Sequence, residues 1–211
     1  MFSLITPTFN EAANIEALAV AVRDALSGVE YELLVVDDDS PDGTWQRAAE
    51  LPEDCCVRVI RRENERGLAS AVVQGFKEAR GDLIAVIDAD LSHPPELLPD
   101  LLARVEEGYD LVIASRLVKG GGVERWPWYR RVLSWGGRLM AKPLTEVNDI
   151  MSGYFVLQRR VIANAELQPR GYKILLEILI KGTYSKVIEV PYSFKSRDIG
   201  TSKMTFETHL S

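Results

Sequence analysis

The sequence predicts one α/β domain whose central sheet is mostly parallel and carries helices on both faces. Through the first half of the chain, short apolar runs alternate with segments whose apolar residues recur every three to four positions, as on one face of a helix. Apolar strands that alternate with amphipathic helices are typical of parallel sheets covered on both faces. The length of 211 residues suits a single domain, because such a chain buries roughly 70% of the surface that its unfolded form exposes.

Turn and capping residues mark the boundaries of these elements. Pro7 ends the first strand, Asn10 caps the first helix, and Gly81 and Gly108 end two later helices. The predicted strands are 2–6, 31–36, 57–60, 83–87, 111–114, 151–157 and 186–190. The predicted helices lie near 15–26, 68–79, 94–105, 127–142 and 174–180.

Composition and charge exclude several classes of protein. The net charge of -6 argues against a general nucleic-acid-binding protein, so we expect no nucleic acid among its partners. The two cysteines, Cys55 and Cys56, are sequence neighbours, which excludes a disulfide scaffold and a structural zinc site. There is no signal-peptide pattern and no apolar run of about 18 residues, so we expect a cytoplasmic protein that does not span a membrane.

Basic residues and tryptophans concentrate in residues 116–142, which we call the basic segment. It contains one acid, Glu124, and three of the four tryptophans of the chain. On the helix predicted there, arginine and tryptophan together are typical of an amphipathic helix at an anionic membrane surface. The alternative is a helix that packs in the core and exposes a basic side. The residues concerned are Arg116, Lys119, Arg125, Trp126, Trp128, Arg130, Arg131, Trp135, Arg138 and Lys142.

Carboxylates collect after two of the predicted strands. Asp37, Asp38 and Asp39 follow the second strand, and Asp88 and Asp90 follow the fourth. In an open parallel sheet, ligands bind beyond the carboxyl ends of the strands. Neighbouring carboxylates repel each other and lose hydration when they are buried, so such clusters usually bind a cation or several hydrogen-bond donors. Helix capping and turn formation are the alternative explanation.

An Asp-X-Asp pattern after a buried strand suits a hard divalent cation. Mg²⁺ takes one or two carboxylates and fills its other positions with water and phosphate oxygens. For the acids near the end of the second strand, the alternative of turn formation explains Asp42 well, since it lies in a Ser-Pro-Asp-Gly turn.

The phosphate-binding patterns G-x-x-x-x-G-K-[ST] and G-x-G-x-x-G are absent from the sequence, which disfavours ATPases and dinucleotide oxidoreductases. A phosphorelay receiver domain also gathers acids at strand ends, but it is much shorter and lacks a basic segment.

A series of short motifs runs in order along nearly the whole chain. The first group is 7–11 (PTFNE), 35–44 (VVDDDSPDGT), 66–68 (RGL) and 88–96 (DADLSHPPE). The second group is 115–116 (SR), 120–123 (GGGV), 128–131 (WYRR), 149–154 (DIMSGY), 171–173 (GYK) and 197–203 (RDIGTSK). The first group resembles family 2 glycosyltransferases, and the second resembles their dolichyl- or polyprenyl-phosphate mannose synthase branch. The resemblance implies a GT-A-type, Rossmann-like fold in a single domain, residues 1–211.

The resemblance also implies a site for GDP-mannose and a divalent cation, Mg²⁺ or Mn²⁺. Asp88 and Asp90 would bind the cation and the donor diphosphate, with Ala89 against the nucleotide. Ser92 stands where relatives often carry Gln. The residues implied to hold the guanosine or to lie beside it are Pro7, Phe9, Glu11, Val36, Asp37, Asp38 and Asp39.

Catalysis is assigned mainly to Asp90 with the cation and to basic residues that contact phosphates. A lipid phosphate acceptor is largely dianionic at pH 7, because its second pKa is about 6, so the reaction needs no strong general base. Asp149 is a candidate for positioning the acceptor or accepting a hydrogen bond, and capping the turn before Met151 is its alternative role. The basic residues implied to contact phosphates are Arg116, Arg131, Arg197 and Lys203.

The expected activity is inverting transfer of mannose from GDP-mannose to dolichyl or polyprenyl phosphate, at the cytosolic face of a membrane to which the protein is peripheral. One alternative is transfer of another sugar, such as glucose from UDP-glucose. A second alternative is a catalytically silent nucleotide-sugar-binding subunit, which the intact acidic and basic positions disfavour.

The roles expected of the three parts of the chain follow the order of the motifs. Residues 1–115 form the nucleotide-sugar half, 116–195 form the acceptor half, and 196–211 are a flexible segment that we expect to close over the donor. Many relatives in this branch continue into transmembrane helices. The resemblance therefore includes, as expectations, a membrane-embedded partner subunit or a transmembrane region after Ser211.

Overall fold

The computed structural model describes residues 1–123, 145–168 and 174–194. In these ranges the chain forms nine strands, five α-helices and three short 3₁₀ turns. The strands are β1 (Phe2–Thr8), β2 (Tyr31–Asp37), β3 (Val57–Arg61), β4 (Leu83–Val86), β5 (Leu111–Ser115), β6 (Gly122–Val123), β7 (Phe155–Gln158), β8 (Val187–Pro191) and β9 (Ser193–Phe194). The helices are α1 (Ile15–Ala25), α2 (Thr44–Ala49), α3 (Leu68–Glu78), α4 (Leu98–Glu106) and α5 (Ile174–Lys181).

Seven strands form the central sheet, in the order β3-β2-β1-β4-β7-β5-β8. β7 is antiparallel to both of its neighbours, β4 and β5, whereas the other neighbouring pairs in this sheet are parallel. In the described residues β6 and β9 form a separate pair. The prediction of a mostly parallel central sheet is confirmed.

Each face of the sheet has its own apolar core, because successive residues of a strand point to opposite faces. Leu4 and Val35 belong to the core that α1, α2 and α4 cover, and Ile5 belongs to the core that α3 and α5 cover. Helix α3 packs closely on β1 at Gly75, where a Cβ atom would lie 2.6 Å from Cγ2 of Ile5. Helices therefore cover both faces, as the sequence predicts.

Pro7 does not end β1, which continues to Thr8. The carbonyl of Ile5 accepts a hydrogen bond from Ile87 on the β4 side, and the carbonyl of Thr8 accepts one from Asp38 on the β2 side. Successive residues of β1 direct their N–H and C=O groups alternately towards β4 and towards β2, so the missing N–H of Pro7 falls on the β4 side. The pairing with β4 ends at Ile5, and the proline therefore removes no hydrogen bond from the sheet.

Asn10 does not cap α1, which begins one turn later, at Ile15. Asn10 has a positive φ of 57°, and its N–H donates to Oγ of Ser40 at 3.0 Å. A turn then follows, in which the N–H of Asn14 donates to the carbonyl of Glu11 at 2.9 Å. The β1–α1 loop is therefore attached to the loop after β2 before the helix starts.

Two further boundaries differ from the prediction. β7 begins at Phe155, because the preceding residues form a turn in which the N–H of Ser152 donates to the carbonyl of Asp149 at 3.2 Å. The helix predicted from residue 94 starts as the 3₁₀ turn Pro95–Leu97 and becomes α4 at Leu98. The helix predicted at 127–142 lies outside the described residues.

A buried glutamate organises the amino ends of β1 and β2. Oε1 of Glu32 accepts from Oγ of Ser3 at 2.6 Å and from the N–H of Arg80 at 2.7 Å, and Oε2 accepts from Nε of Arg58 at 3.0 Å. Burial alone would raise the pKa of Glu32. These hydrogen bonds and the charge of Arg58 outweigh burial, so the pKa lies below its ordinary value of 4.5.

We predict that Glu32→Gln lowers the free energy of unfolding by about 1–2 kcal/mol at pH 7, because charge-assisted hydrogen bonds are lost. A depressed folded-state pKa means that the stabilisation is present above pH 4.5 and is lost as the pH falls through the folded-state pKa. Urea unfolding at several pH values measures both effects. The variant should lose less stability on acidification than the parent, whereas Glu106→Gln, an exposed control, should behave like the parent.

Candidate functional site

All seven strands of the central sheet bring a loop to one edge of the sheet, which we call the carboxyl edge. Six of them, β1 to β5 and β8, run in the same direction and end there. β7 runs the other way and starts there, since Phe155 pairs with Val86 and Ile113. The loop before β7 therefore brings Asp149 and Gly153 beside the residues that follow β4 and β5.

The first and third aspartates after β2 have different partners. Asp37 is fully buried, and its carboxylate accepts from Oγ1 of Thr8 at 2.7 Å and from the N–H of Ser40 at 2.8 Å. Asp39 pairs with Arg61 near the surface, with 2.7 Å between Oδ1 and Nε. These two carboxylates stabilise the loop after β2, in agreement with the turn-forming alternative.

Asp38 is the centre of a buried network at the ends of β2 and β3. Its Oδ1 accepts from Nε of Arg62 at 2.7 Å, and its Oδ2 accepts from the N–H of Gly67 at 2.8 Å. Arg62 is 6% exposed and also donates to Oγ of Ser70 at 3.1 Å. The ion pair therefore attaches the β3–α3 loop to the end of β2.

The other residues expected around the nucleoside also lie at the carboxyl edge. Pro7 and Val36 are buried and face each other in the register of β1 and β2. The guanidinium of Arg66 lies over the ring of Phe9, 4.9 Å from its centroid, which is within the range of a cation–π contact. Glu11 follows in the β1–α1 loop. The structure brings these residues close to the end of β2, and their contact with a nucleoside stays a prediction.

Asp88, Ala89 and Asp90 follow β4. The carboxylate of Asp90 is buried, and its Oδ1 accepts from the N–H of Ser92 at 3.0 Å and from Oγ of Ser92 at 2.5 Å. The side chain of Asp88 is 32% exposed. Ser92 therefore orients Asp90, while Asp88 remains accessible from solvent.

Asp88 and Asp90 fit a hard divalent cation. Their carboxylates, two residues apart, supply oxygen ligands of the kind that Mg²⁺ and Mn²⁺ prefer. Across residues 1–123, 145–168 and 174–194, no three His, Cys, Asp or Glu side chains form a metal site by themselves. Mg²⁺ that is bound by one or two carboxylates usually fills its other positions with water and phosphate oxygens.

Arg116, directly after β5, is held by Asp149. Nη2 of Arg116 donates to Oδ1 at 2.8 Å, while Nε and the backbone N–H donate to Oδ2 at 2.8 Å and 3.0 Å. Burial opposes the charge of the guanidinium, but the hydrogen bonds and charge of Asp149 outweigh it and raise the pKa of Arg116. Both oxygens of Asp149 are thus engaged in orienting a fixed positive charge at the carboxyl edge.

Asp149 is in turn held by Glu189 of β8. The N–H of Asp149 donates to Oε1 of Glu189 at 2.9 Å, and the N–H of Asn148 donates to Oε2 at 2.8 Å. Oγ of Ser115 donates to the same glutamate at 2.7 Å. In the described structure the Asp149 side chain orients Arg116, and the Asp149 backbone carbonyl closes the turn before β7.

Sequence reasoning did not identify Arg62, Glu189 or His93 as site residues. Glu189 had a recognisable signal, because it is a lone acid within an apolar strand and buried acids are normally paired. Arg62 had no such signal, because nothing in the sequence distinguishes the buried Arg62 from Arg61, which precedes it and lies at the surface.

Several predicted site residues lie outside the described residues. They are Arg131, Arg197 and Lys203, together with most of the basic segment and residues 196–211. Their roles stay predictions. Among the helices that the structure describes, none combines the length and the apolar character required to cross a bilayer.

The architecture resembles that of solved structures at less than 25% sequence identity. The chain superposes on glucosyl-3-phosphoglycerate synthase of Mycobacterium tuberculosis with a TM-score of 0.70 and 23% identity, covering 93% of this chain and 73% of that one. A complex of that enzyme with Mn²⁺, UDP and glucosyl-3-phosphoglycerate gives a TM-score of 0.72 at 21% identity, covering 95% and 73%. At these identities the comparison defines the fold alone, which is that of a GT-A-type glycosyltransferase domain.

The sequence comparisons define the family. The model described as glycosyl transferase family 2 matches residues 3–165. A dolichol-phosphate mannosyltransferase of Pyrococcus furiosus is 51% identical over 98% of this chain, which spans 60% of that relative. Another of Saccharomyces cerevisiae is 38% identical, with coverage of 97% and 81%, and an undecaprenyl-phosphate mannosyltransferase of Micrococcus luteus is 37% identical, with coverage of 95% and 86%. The chain belongs to glycosyl transferase family 2.

We predict that Arg62→Met lowers the free energy of unfolding by about 3–5 kcal/mol, because it leaves the Asp38 carboxylate buried without its partner. Arg61→Met removes a half-exposed ion pair next to it and should cost about 1 kcal/mol or less. Urea unfolding of both variants and of Arg62→Met/Asp38→Asn provides the measurement. The double variant should be more stable than Arg62→Met alone, and equal costs for the two arginines would contradict a buried pair.

Proposed function

We propose that the protein transfers mannose from GDP-mannose to dolichyl or polyprenyl phosphate, with inversion at the sugar carbon. The observation that carries the proposal is the proximity of two kinds of group at the carboxyl edge. Asp88 and Asp90 offer carboxylates for a cation and a donor diphosphate, and Arg116 offers a fixed guanidinium for a phosphate. The names of the relatives, which are mannosyltransferases of dolichol and undecaprenyl phosphate, support mannose and a lipid phosphate.

On the donor side, the protein supplies two oriented carboxylates. Ser92 fixes Asp90, so this carboxylate enters the reaction without reorganising. A divalent cation bound there, Mg²⁺ or Mn²⁺, would neutralise charge on the diphosphate leaving group. Pro7, Phe9 and the Asp38 network would place the guanosine at the ends of β1 and β2.

On the acceptor side, the protein has to bring one anion towards another. A phosphate monoester is largely dianionic at neutral pH, because its second pKa is about 6, and it can attack the sugar carbon without a strong general base. This fits a site in which the buried Asp149 carboxylate is engaged with Arg116. Arg116 would orient the acceptor phosphate and reduce its repulsion from the donor diphosphate.

The acceptor chemistry also requires the protein to reach a membrane surface. We propose that residues 125–142 of the basic segment, with their arginines and three of the four tryptophans of the chain, bind an anionic interface on the cytosolic face. Arg131, Arg197 and Lys203 are proposed phosphate contacts, with residues 196–211 closing over the bound donor.

We predict that Asp90→Asn lowers the rate of transfer by about 100-fold or more, because the cation that would neutralise the leaving diphosphate loses a charged ligand. The assay combines the purified protein, Mg²⁺ or Mn²⁺, a short polyprenyl phosphate and a panel of sugar nucleotides, and measures lipid-linked sugar. EDTA should lower the rate of the parent, and Asp100→Asn, an exposed control on α4, should leave it unchanged.

Each other outcome of this assay has a defined meaning. Product from UDP-glucose but not from GDP-mannose would establish the alternative donor. Binding of sugar nucleotides without product from any of them would establish a silent subunit. Normal turnover by Asp90→Asn, with or without EDTA, would show that the cation assignment is wrong.

We predict that Arg138→Ser weakens binding to anionic liposomes by roughly 1 kcal/mol, the contribution of one basic residue near such a surface. Binding of the parent should also fall as salt is raised, because the attraction is screened. Liposome sedimentation measures both effects, with Arg104→Ser on α4 as a matched exposed control. Binding that neither salt nor Arg138→Ser changes would assign the segment to the packed core.

A further inference from the structure

His93 is a buried imidazole that the proposed transfer does not use. It is 1% exposed and lies in a cluster of three other aromatic rings. Its centroid is 5.3 Å from that of Tyr154, 5.8 Å from that of Tyr192 and 5.7 Å from that of Phe194. These rings come from the loop before β7 and from the end of β8 and β9. The packing holds the imidazole in one place below the carboxyl edge.

One ring nitrogen of His93 accepts a hydrogen bond from the residue that begins the Asp-X-Asp pattern. The backbone N–H of Asp88 donates to Nδ1 at 3.2 Å. Because Nδ1 accepts, the imidazole is neutral and carries its proton on Nε2. The same Nδ1 atom lies 3.6 Å from Oδ2 of Asp88, so the imidazole lies against both the backbone and the carboxylate of this residue.

Gly153 borders the same carboxylate. A Cβ atom at position 153 would lie 3.3 Å and 3.4 Å from the two carboxylate oxygens of Asp88 and 3.4 Å from Cε1 of His93. Contacts this short are tighter than ordinary van der Waals contacts, so a side chain at position 153 would press on the Asp88 carboxylate and on His93. The glycine therefore leaves open the space in which this carboxylate lies beside His93.

Asp88 and Asp90 are held in different ways. Asp90 is oriented by two hydrogen bonds from Ser92 to its carboxylate. At Asp88, His93 accepts from the backbone, and the side chain remains 32% exposed. When the backbone of Asp88 is fixed, its short side chain has few rotamers and can place the carboxylate in only a few positions.

We propose that His93 is a positioning residue, which holds the backbone of Asp88 so that its carboxylate faces the divalent cation of the donor diphosphate. This inference rests on the proposed function. His93 would not touch the cation or the substrate. Its effect on metal affinity would pass through the hydrogen bond from Asp88, as is common for groups that orient metal ligands.

The test measures Mn²⁺ binding directly, by electron paramagnetic resonance, with and without GDP and without any turnover. His93→Phe keeps a ring in the aromatic cluster but removes the acceptor, and it should weaken Mn²⁺ binding about 10–100-fold. His93→Asn places an acceptor oxygen close to the position of Nδ1 and should restore most of the affinity. Thermal melting of each variant shows that the compared proteins are folded.

Tyr192→Phe is the matched control. Tyr192 belongs to the same cluster, and in the described structure its buried hydroxyl has no hydrogen-bond partner. Its removal should leave Mn²⁺ affinity unchanged. Equal weakening by Tyr192→Phe and His93→Phe would assign the effect to packing and overturn the inference.

The remaining outcomes separate this inference from the proposed function. If the parent binds Mn²⁺ with GDP and His93→Phe binds it equally well, His93 has no positioning role, and the transfer proposal is unaffected. Failure of His93→Asn to recover affinity while it melts like the parent would also overturn the role of the acceptor. If the parent binds no Mn²⁺ with any nucleoside diphosphate, the cation site and this inference both fail.

Discussion

Repulsion among carboxylates is the constraint on which the carboxyl edge depends. The parallel strands bring several acids to one side of the sheet, where burial strengthens their mutual repulsion. Separate donors offset it: Arg62 pairs with Asp38, Arg116 pairs with Asp149, and hydroxyl and backbone groups satisfy Asp37. Because each buried acid has its own partner, the edge can be crowded with oxygen atoms and remain ordered.

The hydrogen-bond and ion-pair partners of these acids also determine which carboxylates remain accessible from solvent. Ion pairs that are buried contribute little net stability, but breaking one is costly, so they hold a single arrangement. Asp38 and Asp149 are each held by an arginine in this way. Asp88 differs, since its side chain remains partly exposed at the end of β4. The partly exposed carboxylate of Asp88 thus follows one strand, β4, and the fixed guanidinium of Arg116 follows another, β5.

The pattern of apolar runs was sufficient to predict the seven strands of the central sheet and the presence of helices on both of its faces, because burial on both faces leaves a direct mark on the sequence. It also placed Asp88 and Asp90 at a strand end. The pairing of Arg116 with Asp149 was not predictable in this way, because it depends on β7 running antiparallel between two strands. Pro7 was misread because a proline ends a strand only where its N–H would be needed. Asn10 was misread because tertiary hydrogen bonds moved the start of the helix.

The position of β7 has a consequence for how the chain folds. Strands β1 to β4 come first in the sequence and lie side by side in the sheet. β4 and β5 do not pair with each other, because β7 lies between them and pairs with both. Closing that gap joins segments far apart in the chain, which is slow because loop closure must precede any gain from pairing. During synthesis, β4 and β5 would therefore leave the ribosome with unpaired edges. Such edges attract other strands, so the nascent chain is most vulnerable to misassociation just before β7 emerges.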